Sequence, residues 1–439
     1  MDDILKLVEE LINKKQAEKT WTAGKDFVNY AGPYYTADEY VAGVKSLLEG
    51  WLVMGHHGLR FEQDFSRHLG KSNGILTNSG SSSNLLMMAA LTSKRSYNLP
   101  KGTRVLMPIA GFPTTLNPTI QMGFTPVFVD IELDTLNLDL DHVEHMLATN
   151  SDIRVITFAH VLGNPPAMDR LMGLVKKYNL ILLEDCCDAL GSTYNDKPLG
   201  GFGLMSSCSF YPAHHMTMGE GGFVATDDPK LEIVLRSFRE WGRGCYCNGP
   251  KANKLKCGTC GTRFSNWVET LPDEIFDHKY VYDEIGYNLK PIELQCAMGR
   301  QQLKKLPEIH ALRRRNYGLL TDIYQKYEEY FYIPRATENS NPSWFAYPLT
   351  IRPSAPFKRK DFLDYLEDNL IQTRPYFAGN ILLQPGYSHL MDPNEAKINY
   401  PNATLSMTNT FFHGTSPVIT PEQIAYIGVK VDDYMSKYQ

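Results

Sequence analysis

A run of fourteen residues, Ser209-Phe-Tyr-Pro-Ala-His-His-Met-Thr-Met-Gly-Glu-Gly-Gly222, sets two adjacent imidazoles ahead of a glycine pair. Imidazole forms no stable imine with an aldehyde, but near neutral pH it accepts and returns protons. No lysine occurs between Lys197 and Lys230, so the segment offers acid–base chemistry and no amine for covalent work. Asp185 ends the apolar run Leu180-Ile-Leu-Leu-Glu184, where a carboxylate can cap a helix or hold a protonated nitrogen. Ser79-Gly80-Ser81-Ser82 stands at the junction of a strand-like run and a helical one. Free N–H groups and the helix dipole make such a junction a phosphate site, and a plain N-cap is the alternative. The eight cysteines are spread unevenly. Cys208 lies in a strand-like run and Cys296 in a helical one, as small buried hydrophobes do. Cys245, Cys247, Cys257 and Cys260 crowd a loop rich in Gly, Asn and Lys, where burial explains little and metal binding explains more. Cys257-Gly-Thr-Cys260 has zinc-like spacing, and thiolates are equally the ligands of iron–sulfur clusters.

These residues need elements to hold them. Strand signals recur at Gly74–Asn78, Arg104–Pro108, Pro126–Val129, Arg154–His160, Leu180–Glu184, Ser206–Tyr211 and Gly222–Thr226, with helical stretches such as Met168–Tyr178 between them. That alternation predicts an α/β fold with a mostly parallel central sheet flanked by helices. Ligands of such sheets sit where the strands end, and the polar residues named above fall there. We read an N-terminal helical segment over 1–36, a large domain over 37–292 with its cysteine-rich loop at about 240–270, a long connecting helix over 293–330, and a smaller C-terminal α+β domain over 331–439. The 439 residues are 43% hydrophobic and 21% charged with net charge −5. That balance allows a large core and carries no basic groove for nucleic acid. The amphipathic, charged start Met1–Ile12 is not a signal peptide, and no apolar run reaches the roughly 18 residues needed to cross a bilayer. The expectation is a soluble cytoplasmic protein.

The segment 209–222 resembles the lysine segment of the DegT/ArnB-type, PLP-dependent sugar aminotransferases, which hold their coenzyme as a Schiff base on a lysine at the position of His214. The resemblance runs from about Gly50 to Lys290. It implies the type I, aspartate-aminotransferase-like fold. It matches Gly80 and Ser81 to the phosphate cup, Ser209 to a further phosphate hydroxyl, and Phe112 in Ala110-Gly-Phe-Pro-Thr114 to the aromatic that stacks on the ring. It also matches Asp185 to the partner of the pyridine nitrogen, Asp188 to a position near the ring's phenolic oxygen, and Asn288 to an asparagine that reaches the phosphate of a neighbouring subunit. A homodimer with shared active sites is implied.

Histidine in place of lysine is similar to the PMP-dependent sugar 3-dehydratases of this family. The spacing Cys187-x57-Cys245-x-Cys247, with Thr259-Cys-Gly-Thr-Arg-Phe264, resembles the branch typified by CDP-4-keto-6-deoxyglucose 3-dehydrases, which carry a [2Fe–2S] cluster. The implied ligands are Cys187, Cys245, Cys247 and Cys260. The interval before the fourth is longer than the family's, twelve residues to Cys260 and nine to Cys257, so Cys257 is an alternative. The implied chemistry is loss of the C3 hydroxyl from a nucleotide-linked 4-keto-6-deoxyhexose, CDP being favoured, in 3,6-dideoxyhexose and O-antigen formation. His214 serves as the proton-transfer residue, assisted by Tyr211. His215, in the position after the lysine, is the structural member of the pair. Electrons come through the cluster from an NADH-dependent flavin/iron–sulfur reductase. Arg374, in Thr373-Arg-Pro-Tyr-Phe-Ala-Gly379, is the expected sugar or diphosphate contact. Alternatives are a cluster-free dehydratase with zinc-bound or structural cysteines, an ordinary aminotransferase, and an inactive relative that binds a nucleotide sugar.

Overall fold

Seven of the apolar runs form one sheet in a computed structural model that describes residues 1–245, 247 and 261–438. In chain order its strands are β1 Asn73–Thr77, β2 Arg104–Pro108, β3 Thr125–Val129, β4 Ile153–Ala159, β5 Ile181–Asp185, β6 Met205–Ser209 and β7 Gly222–Thr226. Their spatial order is β1-β7-β6-β5-β4-β2-β3. The pairs β2/β3, β2/β4, β4/β5 and β5/β6 are parallel, and β7 runs antiparallel between β1 and β6. Successive side chains of a strand point to opposite faces. Accordingly Val105, Val155, Leu183 and Val224 enter one buried cluster, while Leu106, Ile156, Leu182 and Phe223 enter another. A sheet covered on both faces explains why these runs read as continuously apolar.

Helix Gly80–Thr92 follows β1, and helices Pro113–Gln121, Leu140–Thr149 and Met168–Lys177 connect the parallel strands. Helix Glu293–Tyr324 is 32 residues long and continues through Pro307. At its start the buried Glu293 carboxylate accepts from Gly55 N (2.5 Å) and His57 N (2.6 Å), satisfying the open N–H groups of helix His56–His68. Beyond it, Phe331–Tyr332, Ala346–Ile351, Thr410–Gly414 and Arg374–Pro375 form a four-stranded antiparallel sheet with its own core of aromatic and aliphatic side chains. Among the described residues no helix is long and apolar enough to cross a membrane.

Candidate active site

The carboxyl ends of β4, β5 and β6 open on a cavity of about 760 Å³, lined by Ala159, Asp185 and Ser209 at those strand ends. One wall is the start of helix Gly80–Thr92. Ser79 caps it, its hydroxyl accepting from Ser82 N at 3.1 Å, while Gly80 and Ser81 line the cavity with first-turn N–H groups. The helix begins at Gly80, directly at the strand–helix junction, because small Ser side chains start it and apolar ones only continue it. Gly80 is required by contact: a Cβ there would lie 2.5 Å from Ser209 Cβ and 2.9 Å from Cys187 Sγ. Gly222 is required likewise, since its Cβ would meet the Ser79 carbonyl oxygen at 2.2 Å. The Gly-Gly of the fourteen-residue segment is thus the space through which β7 passes the helix start.

Asp185 is buried at the tip of β5. Its Oδ2 accepts from Asn84 Nδ2 (2.7 Å) and Thr115 Oγ1 (2.8 Å), and its Oδ1 accepts from Cys187 N (3.1 Å). Ser207 Oγ fixes the orienting amide by donating to Asn84 Oδ1 at 2.6 Å. A carboxylate has about four lone-pair sites; the fourth contact, from Ser207 Oγ to Oδ1 at 3.3 Å, competes with the shorter bond to Asn84 for one hydroxyl hydrogen and leaves that site open to a stronger donor. Phe112 lines the opposite wall, half-exposed, its ring edge-on to Phe377 at 5.9 Å. It stands at the N-cap of helix Pro113–Gln121, where Pro113 pre-sets the first turn.

His214 sits on a loop closed by Met218 N donating to Phe210 O (3.0 Å) and Thr217 Oγ1 donating to Phe210 O (2.8 Å). Beneath the loop the buried Arg313 guanidinium, on the long helix, donates to the carbonyls of Ala213 (3.2 Å), His214 (3.0 Å) and Phe345 (3.0 Å). Burial, then the nearby Arg313 cation, lowers the His214 imidazole to about 4. It is therefore neutral at pH 7 and ready to accept a proton. Its Nδ1 lies 3.5 Å from Asp188 Oδ1, too far for a hydrogen bond, and is a buried atom without a hydrogen-bond partner. Burial, then the charge of Asp185, raises the Asp188 carboxyl to about 7. Tyr211 lines the cavity with its ring 6.3 Å from that of His214. His215 turns away: its Nε2 meets the Ser343 carbonyl oxygen at 2.5 Å in the core. Arg374 lines the cavity from the small sheet, its guanidinium over the Tyr30 ring at 4.3 Å. Asn288 is outside the cavity of its own chain, and its Oδ1 accepts from Lys290 Nζ at 2.9 Å.

The cysteines divide. Cys187 lines the cavity beside Gly80, and burial together with the charge of Asp185 pushes its thiol well above the ordinary range. Cys245 and Cys247 gather with His278: the three donor atoms are within 4.8 Å of one another, and Cys187 is not in that group. Cys257 and Cys260 lie outside the described residues.

Residues 35–432 match the model of the DegT/DnrJ/EryC1/StrS aminotransferase family. The chain belongs to that family. Over 99% of its length it is 38% identical to 97% of the lipopolysaccharide biosynthesis protein RfbH of Salmonella typhimurium. It is also 38% identical, over 99% of its length and 92% of the relative, to the dTDP-4-dehydro-2,6-dideoxy-D-glucose 3-dehydratase of Saccharopolyspora spinosa. Among solved structures, a GDP-4-keto-6-deoxymannose-3-dehydratase with bound GDP-perosamine superposes with a TM-score of 0.80 at 29% identity, covering 92% of this chain and all of that one. The mostly parallel sheet and its flanking helices are thus the PLP-dependent sugar aminotransferase and dehydratase fold.

Sequence reasoning missed the supports of this family site. Asn84 and Thr115, which hold Asp185, are ordinary helix residues in the chain. Arg313 is one of three successive arginines, and nothing in that run marks the one that turns inward. His278 lies 33 residues from Cys245 with no motif between them.

Proposed function

We propose that the chain is a PMP-dependent 3-dehydratase that removes the C3 hydroxyl of a nucleotide-linked 4-keto-6-deoxyhexose. The observation that carries this reading is His214, a half-buried neutral imidazole on the cavity wall whose buried Nδ1 has no hydrogen-bond partner, where the family's aminotransferases carry their lysine. The relatives named as dTDP- and GDP-sugar 3-dehydratases support it. The cavity residues fit the coenzyme. Ser79 to Ser82 and Ser209 would hold the phosphate, Phe112 would cover the ring, and the spare acceptor of Asp185 would face its nitrogen. Bound PMP supplies an amine for the C4 ketone and an electron sink.

The remaining work belongs to the chain. With the coenzyme bound, His214 would be the proton carrier between its C4′ position and the departing C3 oxygen. Asp188, raised to about 7 and so only about half ionised at pH 7, adds less than a full second charge beside Asp185. Tyr211 stands on the same side and donates to the leaving oxygen. Arg374 takes the anionic or hydroxyl groups of the sugar nucleotide, for which CDP is our choice. Asn288 of each chain completes the other's phosphate site in a homodimer. The cysteine spacing supports an iron–sulfur centre on Cys245 and Cys247, as in the [2Fe–2S] branch. It would supply electrons singly from a separate NADH-dependent flavin/iron–sulfur reductase to complete 3-deoxygenation in the cytoplasm. Cys187 and Cys260 are its other expected ligands, but Cys187 lines the coenzyme cavity apart from the pair.

The test is turnover with PMP, dithionite as electron donor and CDP-, dTDP- or GDP-linked 4-keto-6-deoxyhexoses, read by mass spectrometry. Net loss of one oxygen atom from the sugar (water lost, two electrons gained), abolished in His214→Asn with PMP binding retained, is the expected result. An amino sugar as product, equal turnover by His214→Asn, or an adduct trapped by borohydride from PLP-loaded protein would overturn the reading.

A further inference from the structure

The chain folds back on both sides of His278. Asp283 N donates to Gly242 O (2.8 Å) and Gly244 N donates to Val281 O (2.9 Å), with Arg243 bridged to Tyr282. This short antiparallel ladder delivers Cys245 to the turn His278–Tyr280. On the other side Phe264–Ser265 pairs with Phe276–Asp277, and His278 N donates to Arg263 O at 3.0 Å. An ion pair from Arg263 to Asp277 at 2.6 Å locks that return. His278 is therefore fixed through its backbone, 2% exposed, with its ring against Trp267 at 5.4 Å.

That fixed ring aims one nitrogen at two sulfurs. His278 Nε2 lies 3.3 Å from Cys245 Sγ and 3.9 Å from Cys247 Sγ. Two donors of one tetrahedral ion, an imidazole nitrogen at about 2.1 Å and a thiolate at about 2.3 Å, stand about 3.6 Å apart. The two observed separations straddle this value. A lone N–H to sulfur hydrogen bond accounts for one such contact, whereas convergence of both thiols on one ring nitrogen is the arrangement of a ligand set. We propose that His278 Nε2, in the place expected for Cys187, is a ligand of the metal centre built on Cys245 and Cys247 and shares one ion with Cys245. The centre is then of mixed thiolate–imidazole type. The proposal rests on the iron–sulfur reading above only for the choice of metal.

The experiment uses full-length protein purified without oxygen and reconstituted with iron and sulfide or, separately, with zinc. X-ray absorption at the edge of the bound metal reads imidazole scattering directly, and nitrogen coupling in the reduced iron centre reads it by pulsed EPR. We expect both signatures in the unmodified protein and neither in His278→Ala, with metal affinity lowered roughly tenfold or more. His278→Cys keeps a ligand in place, so it should regain the metal, lose the nitrogen signature and, if the metal is iron, show a lower midpoint potential. Imidazole scattering from bound zinc, with no iron retained, would sink the iron–sulfur reading and leave His278 a ligand. Iron and sulfide bound without nitrogen, or equal metal content and spectra in His278→Ala, would overturn the proposal. So would failure of both metal-loading attempts, with iron and sulfide and with zinc.

Discussion

Burial of the His214 imidazole has a stability consequence that can be measured without substrate or coenzyme. Its folded-state value of about 4 lies below the ordinary 6.5. Between those values the unfolded chain binds a proton that the folded chain refuses, so stability falls as pH falls through this window. For a single site the loss at about pH 5 is about 2 kcal/mol, it is near zero at about pH 7.5, and it approaches about 3 kcal/mol below pH 4. His214→Asn removes the titrating group and with it the loss. Asp188, held near 7 by burial and by Asp185, and the Arg313 cation are present in both proteins and cancel in the comparison. Urea unfolding of the two apo proteins should therefore show the variant gaining about 2 kcal/mol on the unmodified chain between about pH 7.5 and pH 5. Parallel pH profiles would refute the argument and place His214 in water, with an ordinary imidazole. The same experiment bears on catalysis, because the measured burial is what keeps the base neutral well below pH 7.

Two further substitutions probe the coenzyme wall. Gly80→Ala sets a methyl group 2.5 Å from Ser209 Cβ, in a strand that cannot give way, so PMP affinity measured by absorbance titration should fall by about 1–3 kcal/mol; unchanged affinity would remove this helix start from the phosphate site. Asp185→Asn turns one acceptor into a donor that faces Cys187 N in one amide orientation and both Asn84 Nδ2 and Thr115 Oγ1 in the other, and should destabilise the apo protein by about 1–3 kcal/mol in urea and shift the absorption band of bound PLP; an unaltered spectrum would detach Asp185 from the ring nitrogen.

How far the chain could be read follows from the range of its interactions. Most central strands were legible because burial on both faces makes their middles continuously apolar, as Val105 and Leu106 illustrate by entering opposite cores. The reversed direction of β7 was not legible, since an apolar run of five residues has no polarity. Asp185, Ser209 and His214 were found because they stand at strand ends or in a segment of specific pattern. The partners that set their chemistry were not: Asn84 is 101 residues from Asp185, and Arg313 is 99 from His214. Such pairs exist only once the sheet and the long helix have docked. His278 belongs with them, as its approach to Cys245 depends on a register of backbone hydrogen bonds that no side chain announces.

Arg313 grips the segment that carries His214 by main-chain carbonyls, those of residues 213 and 214, and touches neither of their side chains through a hydrogen bond. A carbonyl is the same whatever residue bears it. The mounting is thus blind to its cargo, and a lysine or an imidazole can be seated on one chassis without rebuilding it. Divergence between moving an amino group and expelling a hydroxyl then needs few changes in the frame, which is how one architecture can serve neighbouring steps of sugar tailoring.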